Sequence, residues 1–178
     1  SETLYTESLL GKEKAQKYVI GTRRGIKNDI PIIGKYGVRN EGSGDMYPKG
    51  GNMIHTIRTV INNDEKFRQI LRGLNKDFYH QTVTTKQIED YISSKSGINF
   101  SKVFDQYLRT TQIPTLEYSQ DGNTFKYRWT NTVDGFDLPI RINGTETISP
   151  SKEWKTITLK DSSEVKFDEN YYVKYQKM

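Results

Sequence analysis

The apolar positions of this chain follow one period through residue 110 and another beyond it. Leu4, Leu9, Leu10, Ala15, Tyr18 and Val19 recur at helical spacing, and Gly25 with Asn28 closes that segment. Ile30-Pro31-Ile32-Ile33-Gly34 reads as a short extended link, because a residue before proline avoids the helical region. A helix is predicted over 52–61, with Met53, Ile54, Ile57, Val60 and Ile61 on one face. Asp64 suits the N-cap of the next helix, whose buried stripe is Phe67, Ile70, Leu71, Leu74 and Phe78. Thr84 and Gln87 have capping-box spacing ahead of Ile88, Tyr91 and Ile92, and Gly97 stops that helix. A last short helix carries Phe100, Val103, Phe104, Tyr107 and Leu108.

After Ile113-Pro114 the period falls to two. Residues 115–119 and 125–132 alternate around Asp121-Gly122, a hairpin signal. Further strands are predicted at 136–143, 155–159 and 171–175, with a weaker one at 164–167. Trp129 and Trp154 are the expected core anchors. The pattern predicts an α+β chain: a helical part over residues 1–112, then a small antiparallel β-sandwich over residues 113–178.

Composition adjusts this picture in three ways. Hydrophobic residues are 33% of the chain and mean hydropathy is −0.80, low for a self-contained globule. Twelve tyrosines add area that can be buried but that such a scale counts as polar, and the periodic apolar positions argue against disorder. Cysteine is absent, which excludes disulfides and thiolate metal sites. Through residue 110 there are 18 lysines and arginines against 12 acids; beyond it, 9 against 10. The basic half lacks a clustered stripe, so it reads as a solvated helical surface and no nucleic-acid partner is expected. No apolar run reaches the roughly 20 residues that span a bilayer. The chain opens inside an apparent helix, without an initiating methionine or signal peptide, as an excised or processed segment is expected to.

The stretch Glu41-Gly42-Ser43-Gly44-Asp45-Met46-Tyr47-Pro48-Lys49-Gly50-Gly51 concentrates the candidate chemistry. A glycine-rich loop buries little and costs conformational entropy, so it is retained where a side chain must be held in a fixed place. Tyr47 directly precedes Pro48, and proline favours the first turn of a helix. Tyr47 is therefore pinned at a loop–helix junction.

Tyr47-Pro48-Lys49-Gly50 resembles the Tyr-x-Lys-Gly segment of the aminopeptidase N-like zinc metallopeptidases, the gluzincin aminopeptidases. The likeness continues through the helix Gly51-Asn52-Met53-Ile54-His55-Thr56-Ile57-Arg58 and a further helix pair to Phe104-Asp105-Gln106-Tyr107-Leu108, ahead of Ile113-Pro114. Ser1-Glu2-Thr3-Leu4 is similar to the family helix just after the third zinc ligand. The resemblance covers essentially the whole chain in the right order. It implies the α-helical half of a gluzincin catalytic domain followed by a β-sandwich. It also implies a parent enzyme, a zinc-dependent aminopeptidase, that removes N-terminal residues from peptides. The sequence leaves the compartment unknown; family habit alone points to a secreted, periplasmic or cell-envelope parent.

The family's zinc motif, His-Glu-x-x-His, is missing; His55 and His80 are 25 positions apart. The resemblance thus implies that the chain begins downstream of the metal and relies on the N-terminal remainder of the parent. Zinc would belong to the parent, with none bound by this fragment, which alone is expected to be inactive. Tyr47 is the catalytic residue that the resemblance implies: an uncharged hydrogen-bond donor at neutral pH, stabilising the oxyanion of the tetrahedral intermediate. Glu2 falls where the family often has a carboxylate beyond the third ligand, able to orient a zinc-bound histidine. Lys49 reads as local structure or electrostatics, Asp45 receives no role, His55 reads as a structural histidine, and His80 ends a helix. Glu89-Asp90 and Asp168-Glu169 are adjacent pairs that do not face one another, so neither is an acid–base dyad. Asn143-Gly144-Thr145 fits a glycosylation acceptor pattern. Two other readings stay open: a non-catalytic helical plus β-sandwich binding module, marked by exposed Tyr127, Trp129 and Tyr172, and a family member that has lost its metal.

Overall fold

The computed structural model describes residues 2–34, 37–39 and 42–178. Ser1 and Glu41, which belong to segments singled out above, lie outside the described residues. The first predicted helix is divided into α1 (Glu2–Leu10) and α2 (Lys12–Gly21), because Gly11 takes a left-handed φ of 86° that ends one helix and starts the next. No residue of α1 is buried, whereas Ala15 and Val19 of α2 are. Helix α3 (Pro48–Ile61) starts four residues earlier than the predicted 52–61, since Pro48 fits the first turn, where an N–H has no helical partner. In α4 (Asp64–Asp77) the N-cap is Asn63, which accepts from the Lys66 N–H, and Asp64 moves into the first turn. Helix α5 (Thr85–Ser96) opens on the Thr84–Gln87 capping box and stops at Gly97, with φ 75°. Helix α6 (Ser101–Arg109) buries Val103, Phe104, Gln106 and Tyr107. His80 sits three residues beyond the end of α4, in a turn with φ 54°, rather than at the helix terminus.

The strands are β1 (Thr115–Asp121), β2 (Thr124–Thr130), β3 (Ile140–Ile142), β4 (Glu146–Ile148), β5 (Lys155–Thr158) and β6 (Lys174–Lys177). The class is α+β. Strands β1 and β2 form the predicted hairpin, with Thr115 opposite Thr130 and Asp121 opposite Thr124. The larger sheet has the order β5-β2-β1-β6, and β3 and β4 form a separate ribbon. Three differences from the sequence pattern have physical reasons. The sheet is mixed, because β6 runs parallel to β1 with Lys174 beside Thr115. The chain before β6 docks on α3 and so enters the sheet at the same end as β1. The stretch 164–167 contributes only an isolated bridge, Phe167 to Ile142. Strand β4 was not predicted; its signal was Asn143-Gly144, a hairpin dipeptide with φ of 49° and 83°.

The core is one cluster that joins helices to strands. Met53, Ile57, Ile70 and Phe104 belong to it together with Leu116, Trp129, Leu138 and Ile140. Trp129 is 1% exposed, and its indole N–H donates to the Leu138 carbonyl at 3.2 Å. Trp154 is not a core anchor: it is 44% exposed, with the Arg128 guanidinium 4.6 Å from its ring centroid. No helix among the described residues is long and apolar enough to cross a membrane.

Candidate functional site

The tyrosine junction is built from backbone donors that would otherwise be unpaired. Gly42 takes φ 72°, and a Cβ there would meet the Ile32 carbonyl oxygen at 2.7 Å, so the loop packs backbone against backbone at this point. Ser43 donates to the Asp29 carboxylate at 2.7 Å and accepts from the Asp45 N–H at 3.1 Å. The buried Asp45 carboxylate accepts from the backbone N–H groups of Lys27 and Asn28 at 2.9 and 2.6 Å. A single turn of 3₁₀ helix, Gly44–Met46, then leads into Tyr47, whose carbonyl accepts from Gly51 N at 2.9 Å to start α3.

Beneath Tyr47, α3 presents a buried polar stripe: Lys49, Asn52 and Thr56 are each 0% exposed. Lys49 Nζ donates to the Thr110 carbonyl at 2.7 Å, and burial pulls its pKa below the ordinary lysine value. Asn52 Nδ2 donates to the carbonyls of Pro48 (2.9 Å) and Val19 (3.1 Å) and to Thr22 Oγ1 (3.0 Å). Its Oδ1 accepts from Arg23 Nε at 2.7 Å. Thr56 Oγ1 accepts from Tyr172 N at 2.9 Å. Each of these side chains has a hydrogen-bond partner, as burial demands. Asp45 and Lys49 thus hold the junction and do not reach the open surface beside Tyr47. The roles of Asn52 and Arg23 escaped sequence reasoning. The available signal was the polar triplet at 49, 52 and 56, which shares a helical face.

Tyr47 itself is 79% exposed. It lines an open groove of about 450 Å³ with Glu2, Thr3, Tyr18, Val19, Thr22, Met46, Pro48 and Gly51. The structure therefore brings the two candidate residues, Tyr47 and Glu2, to one groove. Glu2 is exposed, and its carboxylate near the Tyr18 hydroxyl raises the pKa of that phenol. Neither histidine lines this groove: His55 Nε2 lies 2.9 Å from Asn170 Oδ1, and burial lowers its pKa, while His80 is exposed on its turn. No group of three or more His, Asp or Glu is gathered for a metal among the described residues, so the residues present do not fit a zinc site.

The aromatic residues that would mark a binding face, Tyr127, Trp129 and Tyr172, are all buried, at 5% exposure or less. Each has a core partner instead: Phe125, Phe136 and Tyr107 respectively.

Among solved structures, the chain is similar to Legionella pneumophila aminopeptidase A in complex with aspartic acid. The TM-score is 0.54 at 17% sequence identity, over 96% of this chain. At that identity the likeness is one of fold. The chain spans 20% of the length of that protein. No family model matches the chain, and no curated protein matches it.

Proposed function

We propose that this chain is the tyrosine-bearing C-terminal segment of a zinc-dependent aminopeptidase that hydrolyses N-terminal peptide bonds. The observation that carries the reading is Tyr47: a phenol left 79% exposed on a junction whose underlying polar groups are buried and hydrogen-bonded. Such a junction fixes the backbone from which the phenol projects, and a preorganised donor is what stabilises charge developing on an oxygen. The fold likeness to an aminopeptidase over nearly the whole chain supports the reading.

In this reading residues 1–112 are the helical C-terminal part of the catalytic domain, and residues 113–178 form the β domain packed on it. The substrate's first carbonyl lies in the groove beside Tyr47. The Tyr47 hydroxyl donates to that oxygen as it gains negative charge. Glu2, at the groove's edge, orients a group supplied by the rest of the parent. The metal ligands belong outside this segment.

The test uses the full-length parent protein and matched peptides with free or acetylated N-termini. The reading expects release of the first residue from the free peptides alone, and loss of activity with a chelator. Equal cleavage of both peptides, or none of either, overturns it.

A further inference from the structure

The loop before β6 belongs to the β part, where Asp168 meets Arg141, yet it also reaches the helices. Tyr172 N donates to Thr56 Oγ1 at 2.9 Å, and the Tyr172 carbonyl accepts from the Tyr107 hydroxyl at 2.5 Å. Asn170 Oδ1 meets His55 Nε2 at 2.9 Å. The residue that spans both sides is Arg23, in the 3₁₀ turn Thr22–Gly25 after α2. Its Nε donates to Asn52 Oδ1 at 2.7 Å, and its Nη2 donates to the Asn170 carbonyl at 3.3 Å. Its guanidinium lies 5.5 Å from the Tyr172 ring centroid. The hydrogen-bond partners are neutral oxygens, so the fork geometry of the guanidinium sets the arrangement more than charge pairing does.

From Arg23 the chain of contacts to Tyr47 is short. Asn52 Oδ1 is held by Arg23, which fixes the rotamer of the Asn52 amide. The Nδ2 of that amide binds the Pro48 carbonyl, one peptide from Tyr47, and the end of α2 at Val19 and Thr22. Val19 and Thr22 also line the Tyr47 groove. A turn of the Asn52 amide would break all three bonds at once and free the end of α2, one wall of the groove, from the first turn of α3.

We propose that Arg23 is a positioning residue for Tyr47, clamping Asn52 to the loop Asp168–Val173 so that the β part sets the place of the phenol. The inference rests on the proposed role of Tyr47. It assigns the β part a bracing task within the enzyme. A misplacement of a reacting group by about 1 Å costs on the order of a hundredfold in rate.

The test is a double-mutant cycle in the full-length parent, with Arg23→Met, Tyr47→Phe and the pair, reading kcat and KM on an aminoacyl p-nitroanilide. Arg23→Met is expected to lower kcat about ten- to a hundredfold with KM changed less than about threefold. In the Tyr47→Phe background the same change is expected to cost less than about twofold, because there is no longer a donor to place. A purely structural role would cost the same in both backgrounds; that result overturns the inference and leaves the role of Tyr47 standing. If Tyr47→Phe alone leaves kcat unchanged, the functional reading fails and the inference with it. Arg23→Lys, which keeps the charge and the stem but not the fork, covers the case in which Arg23→Met does not fold. It is expected to show the same dependence on Tyr47, and equal costs in the two backgrounds count against the inference.

Discussion

Helix α1 carries Glu2 and Thr3 to the Tyr47 groove, yet it places no residue in the apolar core, so an ion-pair network does much of its anchoring. Glu7 takes a bidentate contact from Arg58, with Nη1 at 2.6 Å and Nη2 at 3.1 Å, and a third from Arg68 at 3.3 Å. Arg58 Nε also binds Asp64 at 2.8 Å, and Lys12 reaches the other oxygen of Asp64 at 2.8 Å. The side chains of Arg58 and Glu7 are 7% and 12% exposed, so this is a largely desolvated pair. Replacing Glu7 by Gln removes the charge and one of two acceptor oxygens, while Arg58 keeps Asp64. Charge-assisted hydrogen bonds contribute about 1.5–3 kcal/mol each, so the cost should be about 2–3 kcal/mol. Replacing Arg58 by Met leaves two carboxylates facing each other without their shared cation, a change that costs about 3–5 kcal/mol. For a chain of this size each kcal/mol moves Tm by about 2–4 °C. Thermal unfolding followed by circular dichroism should therefore place Glu7→Gln about 4–12 °C and Arg58→Met about 6–20 °C below the parent sequence. Arg58 holds the pKa values of Glu7 and Asp64 below the ordinary carboxylate range. Groups so depressed add stability above their unfolded pKa of about 4, and that contribution is lost as pH falls through the folded values. The gap between the parent sequence and Glu7→Gln should accordingly narrow between pH 7 and pH 3. An Arg58→Met protein as stable as the unsubstituted one, or a Glu7→Gln gap that widens in acid, would rule out a stabilising Glu7–Arg58–Asp64 network.

Three further outcomes follow from the geometry. Asp45→Ala removes the acceptor of two backbone N–H groups and should cost about 2–3 kcal/mol, with faster proteolysis between residues 27 and 46 as the check. The two tryptophans should separate sharply: Trp129→Ala should cost about 3–5 kcal/mol in a denaturant titration, and Trp154→Ala less than about 1. Gly42→Ala puts a Cβ 2.7 Å from the Ile32 oxygen at a left-handed φ, so it should destabilise by about 1 kcal/mol or more in the same titration.

Much of the fold was legible where one local rule decided the outcome. The Thr84–Gln87 capping box, the Gly97 stop and the Asp121-Gly122 hairpin all stand as the residues predict, because each satisfies its own backbone groups within a few positions. The apolar face marks α3 only from Met53, because its first turn, Pro48-Lys49-Gly50-Gly51, carries no core residue; Pro48 alone marks the start. The direction of β6 was not legible. It follows from Tyr172 and Asn170 docking on α3 more than a hundred positions earlier, and no short-range pattern carries that contact. Trp154 was misplaced because a tryptophan beside a strand suggests a core residue, whereas here the ring lies under the Arg128 guanidinium at the surface. At the site, the position of Tyr47 could be read from Pro48 and the glycines. Its support could not: Asp45, Lys49 and Asn52 look like surface polar residues until their backbone partners at 27, 28, 110 and 19 are known.

The most direct test of the account is the kcat of the Tyr47→Phe protein in the full-length parent, with folding checked by Tm. The ring is exposed, so removing its hydroxyl should leave Tm within about 1 °C. Loss of one preorganised donor should lower kcat about 10²- to 10³-fold. A folded Tyr47→Phe protein whose kcat stays within about threefold of the parent would contradict the assignment of Tyr47 to the oxyanion.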